Sequence, residues 1–495
     1  MQRTMLVRRV ACALLGWLTP IIAHPQAAHF GQVHFPTSCA PSVQPQFDEA
    51  LALLHSFEFK QAEASFAKVE SRDPSCSIAA WGIALAQTQR DGANAPRKDL
   101  AAGWKQLQPW LKKKAGTPRE QMYLDAVRAM YEGYDHTSGT VRWARYLARM
   151  DALRRADPHD INASLFYALG LVWTAGPGDP GLAQRRRALA ILLPIFHEYP
   201  DNPGAAHYII HAADTPQLAI IALPAARKYA SIAPDSPHAL HMPSHIFNRL
   251  GLWQESVASN LASAHVAAEW VKDGQGGLFD ELHALNNLEY AYLQLGQDSH
   301  AHAVIARIDQ AASGPNGDPW AGIDARIYYD LETHDWQAAL QLQPPPKSTF
   351  KENFDTYWIH AIAAARSGQP QEAATSLEDF RKSSAEWTKN HGFADVFHLA
   401  FLQAQAWTLF SQGKHDDALT TLREAEQFEQ AHPMYYADVL PRPSAQMEGD
   451  MLLQLGEPAA ALRAYNAALK IAPNTWNALQ GVKQSAAQTS KAAIR

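Results

Sequence analysis

His207 and His241, His211 and His245, and Asp214 and Asn248 all stand 34 residues apart. The segments 207–214 and 238–249 therefore occupy equivalent places in consecutive copies of one structural unit. Within each segment the polar residues recur at spacings of three, four and seven, which sets them on one stripe of a helix. Alternating runs of the strand type are scarce. A unit of this length holds one pair of helices and cannot bury its apolar face by itself, so neighbouring units must cover one another. The expectation is an all-α chain of stacked antiparallel helix pairs, with a core that runs from unit to unit and no single compact active-site domain.

Further copies support the repeat. Near the C-terminus, Gly449, Leu452, Gly456, Ala461, Tyr465, Ala468 and Pro473 combine small residues that let two helices approach with a proline that closes the unit. Weaker copies contain Phe59, Ala62 and Phe66; Leu250, Gly251 and Trp253; Leu295, Gly296 and Ala301; Trp336 and Ala339; Gly368 and Ala373; and Gly413, Ala418 and Leu422. Over most of Gln46 to Gln480 the chain resembles the tetratricopeptide repeat (TPR) superfamily, and it is similar to exported bacterial members with a histidine-rich block. The resemblance implies a TPR-like α-solenoid, a superhelix of antiparallel helix pairs. The expected organisation is a leader at 1–28, a lead-in at 29–45, N-terminal helices with the histidine block at 46–272, C-terminal repeats at 273–480 and a flexible tail at 481–495. Inserts at 174–183, 272–279 and 343–347 break the period and are expected to bend the solenoid or cover its groove.

Arg3, Arg8 and Arg9 precede an apolar stretch, Val10 to Ala23, followed by small residues up to Ala28. This is the three-part pattern of a secretory signal and predicts a periplasmic or secreted protein without an integral membrane span. The formal charge is −6, and the leader holds three arginines and no acidic residue, so the processed chain is more acidic still. That balance argues against nucleic acid as a partner, and the runs 112–114 and 185–187 read as solvated helix faces. Outside the leader only Cys39 and Cys76 remain. In an oxidising compartment they are expected to form a disulfide, the alternative being two small buried thiols.

The histidine stripe carries the candidate chemistry. His207, His211 and Asp214 read as a two-histidine, one-carboxylate set suited to iron, zinc or manganese. His238, His241 and His245 on the next helix are expected to complete that sphere, to hold a second ion or to serve as its outer partners, and copper(II) is open on imidazole alone. After the insert, His283, Asn286 and Tyr290 take the equivalent places. In the TPR superfamily this helix lines the concave surface, and the resemblance implies ligand contacts at Asn248, Arg249, Asn286 and Tyr290. A small molecule or peptide held in the groove without metal, and histidines that serve only as packing residues of a scaffold, are the competing expectations. His55, His265 and the later histidines read as scattered surface or core residues. No phosphate-binding glycine loop, serine elbow or Cys-x-x-Cys pair is present, so phosphoryl transfer and serine hydrolysis are unsupported.

Overall fold

The computed structural model describes residues 29–89, 95–113, 116–175, 179–314, 317–391, 394–432 and 443–494. The leader expected at 1–28 lies outside the described residues. Among them the regular elements are all helices, and none is long and apolar enough to cross a membrane. Successive helices pair across short turns, from Gln44–His55 with Phe59–Arg72 to Ser444–Gln454 with Pro458–Ile471. The fold is a TPR-like α-solenoid.

Small residues set the helix spacing where the repeat pattern placed them. A Cβ at Gly449 would lie 2.7 Å from the Tyr465 ring, and one at Gly481 would lie 2.4 Å from it. Tyr465 is buried between two helices that approach this closely only because those positions carry no side chain.

The helices bearing the histidines start by the same device one repeat apart. Asn202 accepts from the backbone N–H of Ala205 at 3.1 Å, and Ser236 accepts from that of Ala239 at 3.0 Å. Each cap is followed by a proline, Pro203 and Pro237, in the first turn, where its missing N–H costs nothing. The second run is divided into Pro237–His241 and Pro243–Leu250 because Pro243 has no N–H to continue the hydrogen-bond ladder. Met242 between them keeps helical dihedrals (φ −52, ψ −34), so the stripe of His238, His241 and His245 continues across the break.

The core runs from unit to unit as expected, and in addition the first superhelical turn closes on itself. Residues from Phe35 to Phe247 form one continuous apolar core. The lead-in runs across the later helices: the backbone N–H of His29 donates to Asp235 at 2.6 Å, and Asn162 donates to the carbonyl of His34 at 3.0 Å. The C-terminal half turns back in the same way. Trp253 Nε1 donates to the carbonyl of Asn474 at 2.9 Å, and the backbone N–H of Trp476 donates to Gln294 at 2.9 Å.

The first core ends at Phe247, well before the boundary expected after Lys272. The helix Trp253–Lys272 packs through Ala264 with the helices that follow it. The glycines at 274–277 lie in the turn between the paired helices Trp253–Lys272 and Leu278–Gln294. The tail expected from 481 is instead part of the helix Trp476–Ile494, with Ala478 and Ser485 buried, because the last pair of a solenoid needs an outer helix to cover it.

Cys39 and Cys76 form a disulfide with their Cα atoms 4.8 Å apart, and both are buried in the first core. Closing a loop with a sequence separation of 37 stabilises the fold by roughly 4 kcal/mol on the chain-entropy account. Replacing both cysteines by serine is expected to remove about that much stability in urea denaturation. Equal midpoints for the two proteins would contradict this.

Candidate metal centre

The six histidines of the stripe divide into two groups of three. His207, His211 and His238 bring one ring nitrogen each to within 4.8 Å of one another, and so do His241, His245 and His283. Each trio takes its first two members from one repeat and its third from the next. In the first trio the ring centroids are 4.7, 4.9 and 6.3 Å apart, and in the second 4.9, 4.5 and 6.2 Å. An ion bound tetrahedrally at 2.0–2.1 Å from each nitrogen sets donor atoms about 3.3 Å apart and ring centroids about 5.2 Å apart. The observed donor separations are 3.1 Å between Nε2 of His207 and His238, and 2.9 Å between Nε2 of His241 and His245.

At His207, His241 and His245 the other ring nitrogen is committed to an acceptor. His207 Nδ1 donates to the carbonyl oxygen of His55 at 2.6 Å. His245 Nδ1 donates to the Asp214 carboxylate at 2.9 Å. His241 Nδ1 donates to Asn260 Oδ1 at 2.7 Å, and Asn260 is fixed in that orientation because its amide nitrogen donates to the Ser256 carbonyl. An imidazole whose Nδ1 carries the proton presents a lone pair at Nε2, the state a metal-ligating histidine needs.

At His241 and His245 two such lone pairs face each other at 2.9 Å, an arrangement that calls for a cation between them. At His241 a proton is disfavoured. Burial, followed by the neighbouring imidazoles, pushes His241 well below the usual histidine range, and the same causes act on His207 and His238.

Asp214 is not placed as a ligand beside His207 and His211. It is buried, and besides His245 it accepts from Arg249 Nε at 2.8 Å. Burial works against its ionised form, but the guanidinium and the imidazole outweigh that and hold its carboxyl far below the usual carboxylate range. It acts as an orienting acceptor. Arg249 is accordingly buried against Asp214 instead of facing a ligand. Asn248 donates to Asn287 and accepts from Ser256, and Tyr290 packs between Trp253 and Tyr328. Of the four residues expected to contact a ligand, Asn286 alone stays half-exposed. Arg185 also departs from expectation. It is buried and donates to the carbonyl of His211, tying down the end of that helix, while Arg187 lies over the Tyr167 ring.

Several contributors were not legible as site residues. His55 supplies the carbonyl that orients His207, and its own ring, held to Tyr208 and lowered by burial to about 4, stacks on Phe166. The Phe57 ring lies 4.3, 5.2 and 5.5 Å from those of His207, His211 and His238 and walls one side of the first trio. Glu58 accepts from Ser236 at 2.6 Å and from the backbone N–H of His238, and burial, followed by the charge of Asp280, raises it to about 8. Phe279 stacks on His283 at 5.7 Å. In sequence these residues carry no repeat signature, since they come from a helix end, the turn after it and an insert.

No family model matches the sequence, and no curated protein does. Solved structures similar to it include three of low sequence identity. The APC/C hetero-tetramer Cut9–Hcn1 matches at 11% identity over 90% of this chain and 76% of that chain, with a TM-score of 0.37. The TPR domain of P58(IPK) matches at 10% identity over 92% of this chain and 100% of that chain, with a TM-score of 0.23. A Rap protein complexed with competence and sporulation factor matches at 12% identity over 91% of this chain and 100% of that chain, with a TM-score of 0.37.

Metal competes with protons for imidazole, and folded-state values below the ordinary 6.5 weaken that competition near neutrality. Zinc affinity is therefore expected to stay level from about pH 7.5 to about 6.5 and to fall only below that, as titrated by competition with a chelator. A steep loss that begins above about pH 7 would contradict the lowered values.

Proposed function

We propose that this TPR-like protein binds two transition-metal ions, one in each histidine trio, on the concave side of its first superhelical turn. The observation that carries the reading is the pair of Nε2 lone pairs of His241 and His245, aimed at each other at 2.9 Å while both Nδ1 protons are engaged. Three neutral imidazoles without a carboxylate suit zinc or copper better than manganese. Three protein ligands also leave a fourth position for water or a substrate, the arrangement of catalytic sites. A peptide laid along this stretch would find Asn248, Arg249 and Tyr290 already engaged, so the metal reading is preferred to a metal-free peptide groove. Export to an oxidising compartment belongs to the same proposal. The leader-like residues before Ala28 and the Cys39–Cys76 bond support it.

The test is metal content by elemental analysis of untagged protein dialysed against zinc or copper. Two equivalents per chain are expected. His211→Ala and His241→Ala are each expected to lose about one equivalent while keeping the helical circular-dichroism signal, because each removes one of three ligands from a single site. Less than about a tenth of an equivalent in the wild-type protein would overturn the proposal, since a preformed multi-histidine site binds well at neutral pH.

A further inference from the structure

We infer that the two trios together receive one short dianionic ligand with an oxygen donor at each end, a dicarboxylate being the simplest member of that class. The inference rests on reading the trios as metal sites. Their geometry makes them two copies of one site. His207 and His211 correspond to His241 and His245, His238 corresponds to His283, and the three ring separations agree between trios to within 0.4 Å.

Sites related by one repeat step present their fourth positions to the same side of the groove. The half-exposed members His211, His238 and His283 mark that side, while His207, His241 and His245 are buried. Neighbouring packed helices lie about 8–10 Å apart, so ions one repeat apart are separated by a similar distance. With bonds of about 2 Å at each ion, the two donor atoms of a bridging ligand stand about 4–6 Å apart. That is the span of a short dicarboxylate, too long for a single hydroxide.

Charge selects the sign. Six imidazoles are neutral ligands, so two divalent ions bring four positive charges among side chains that are buried or half-buried. Arg249 and Asp214 cancel each other. The charges of the two ions favour a ligand whose oxygen donor is anionic at each end. Phe57 beside the first trio and Phe279 stacked on His283 offer apolar ring surface at both ends, which suits a methylene spacer between two carboxylates. The insert limits length. Gln61 Nε2 donates to the carbonyl of Gln275 at 3.0 Å, tying that loop to the helix Phe59–Arg72. The ligand is therefore short and not a threaded peptide.

The experiment is calorimetric titration of the full chain, loaded with two zinc ions, with succinate and with acetate, checking zinc content afterwards. One succinate per chain is expected, bound at least ten-fold tighter than acetate, and zinc-free protein is expected to bind neither. His283→Ala, with one zinc retained, is expected to bring succinate down to the acetate level. Two zinc ions per chain with succinate no tighter than acetate would overturn the dianion while leaving the metal sites standing. Equal succinate binding by zinc-free protein would overturn it as well. Failure to load zinc would remove the metal reading and this inference together.

Discussion

The turn between the first two helices holds the molecule's first half together. Four consecutive residues, the last of the first helix and the three of the turn, meet helices that lie some 150 to 180 positions later in the chain. The carbonyl of His55 accepts from His207, Ser56 accepts from Tyr229, the Phe57 ring meets three histidines, and Glu58 accepts from Ser236. Phe57 adopts a left-handed backbone conformation (φ 59), which an aromatic residue takes at a cost of about 1–3 kcal/mol when its surroundings impose it. The same contacts close the superhelical turn and orient the first histidine. Closure of the fold and formation of the candidate site are thus one event, and a solenoid left open at this point would lose both.

The repeat also explains where the histidine array stops. One step before His238 the equivalent place is Gly204, where a Cβ would lie 2.5 Å from His55 Nδ1. The His55 ring fills that space, so no further imidazole can stand there. On the other side, the places equivalent to His241 and His245 hold Asn286 and Tyr290, and Tyr290 is buried against Trp253. Two trios are what three successive units can build from this pattern. Each trio spans a junction between units, so an ion held in it would fasten neighbouring repeats together.

Much of the site was legible in the sequence, because a helix and a fixed repeat turn residue spacing into direction. The 34-residue offsets placed His207 with His241 and His211 with His245 on one side of the solenoid. What the spacing did not reveal was how the donors are shared. Asp214 follows His211 at a ligand-like interval, yet its partners are His245 and Arg249, which lie 31 and 35 residues away on the next unit. Nearest-neighbour stacking likewise gave no sign of the closure that brings His55, Phe57 and Glu58 to the histidines, since contacts between distant units leave no periodic trace. The final helix was missed for a related reason. Residues 481–494 lie beyond the last recognisable repeat, and their helix is stabilised by the face it covers and not by a pattern of its own.

The central claim is that three imidazoles converge at each of two points while outer acceptors hold their orientation. Anomalous diffraction at the zinc edge from crystals of the zinc-loaded full chain tests it most directly. The account predicts two strong peaks, one enclosed by His207, His211 and His238 and the other by His241, His245 and His283, each with nitrogen ligands at about 2.0–2.1 Å. Peaks away from these trios, or an ion coordinated by the carboxylate of Asp214, would contradict it.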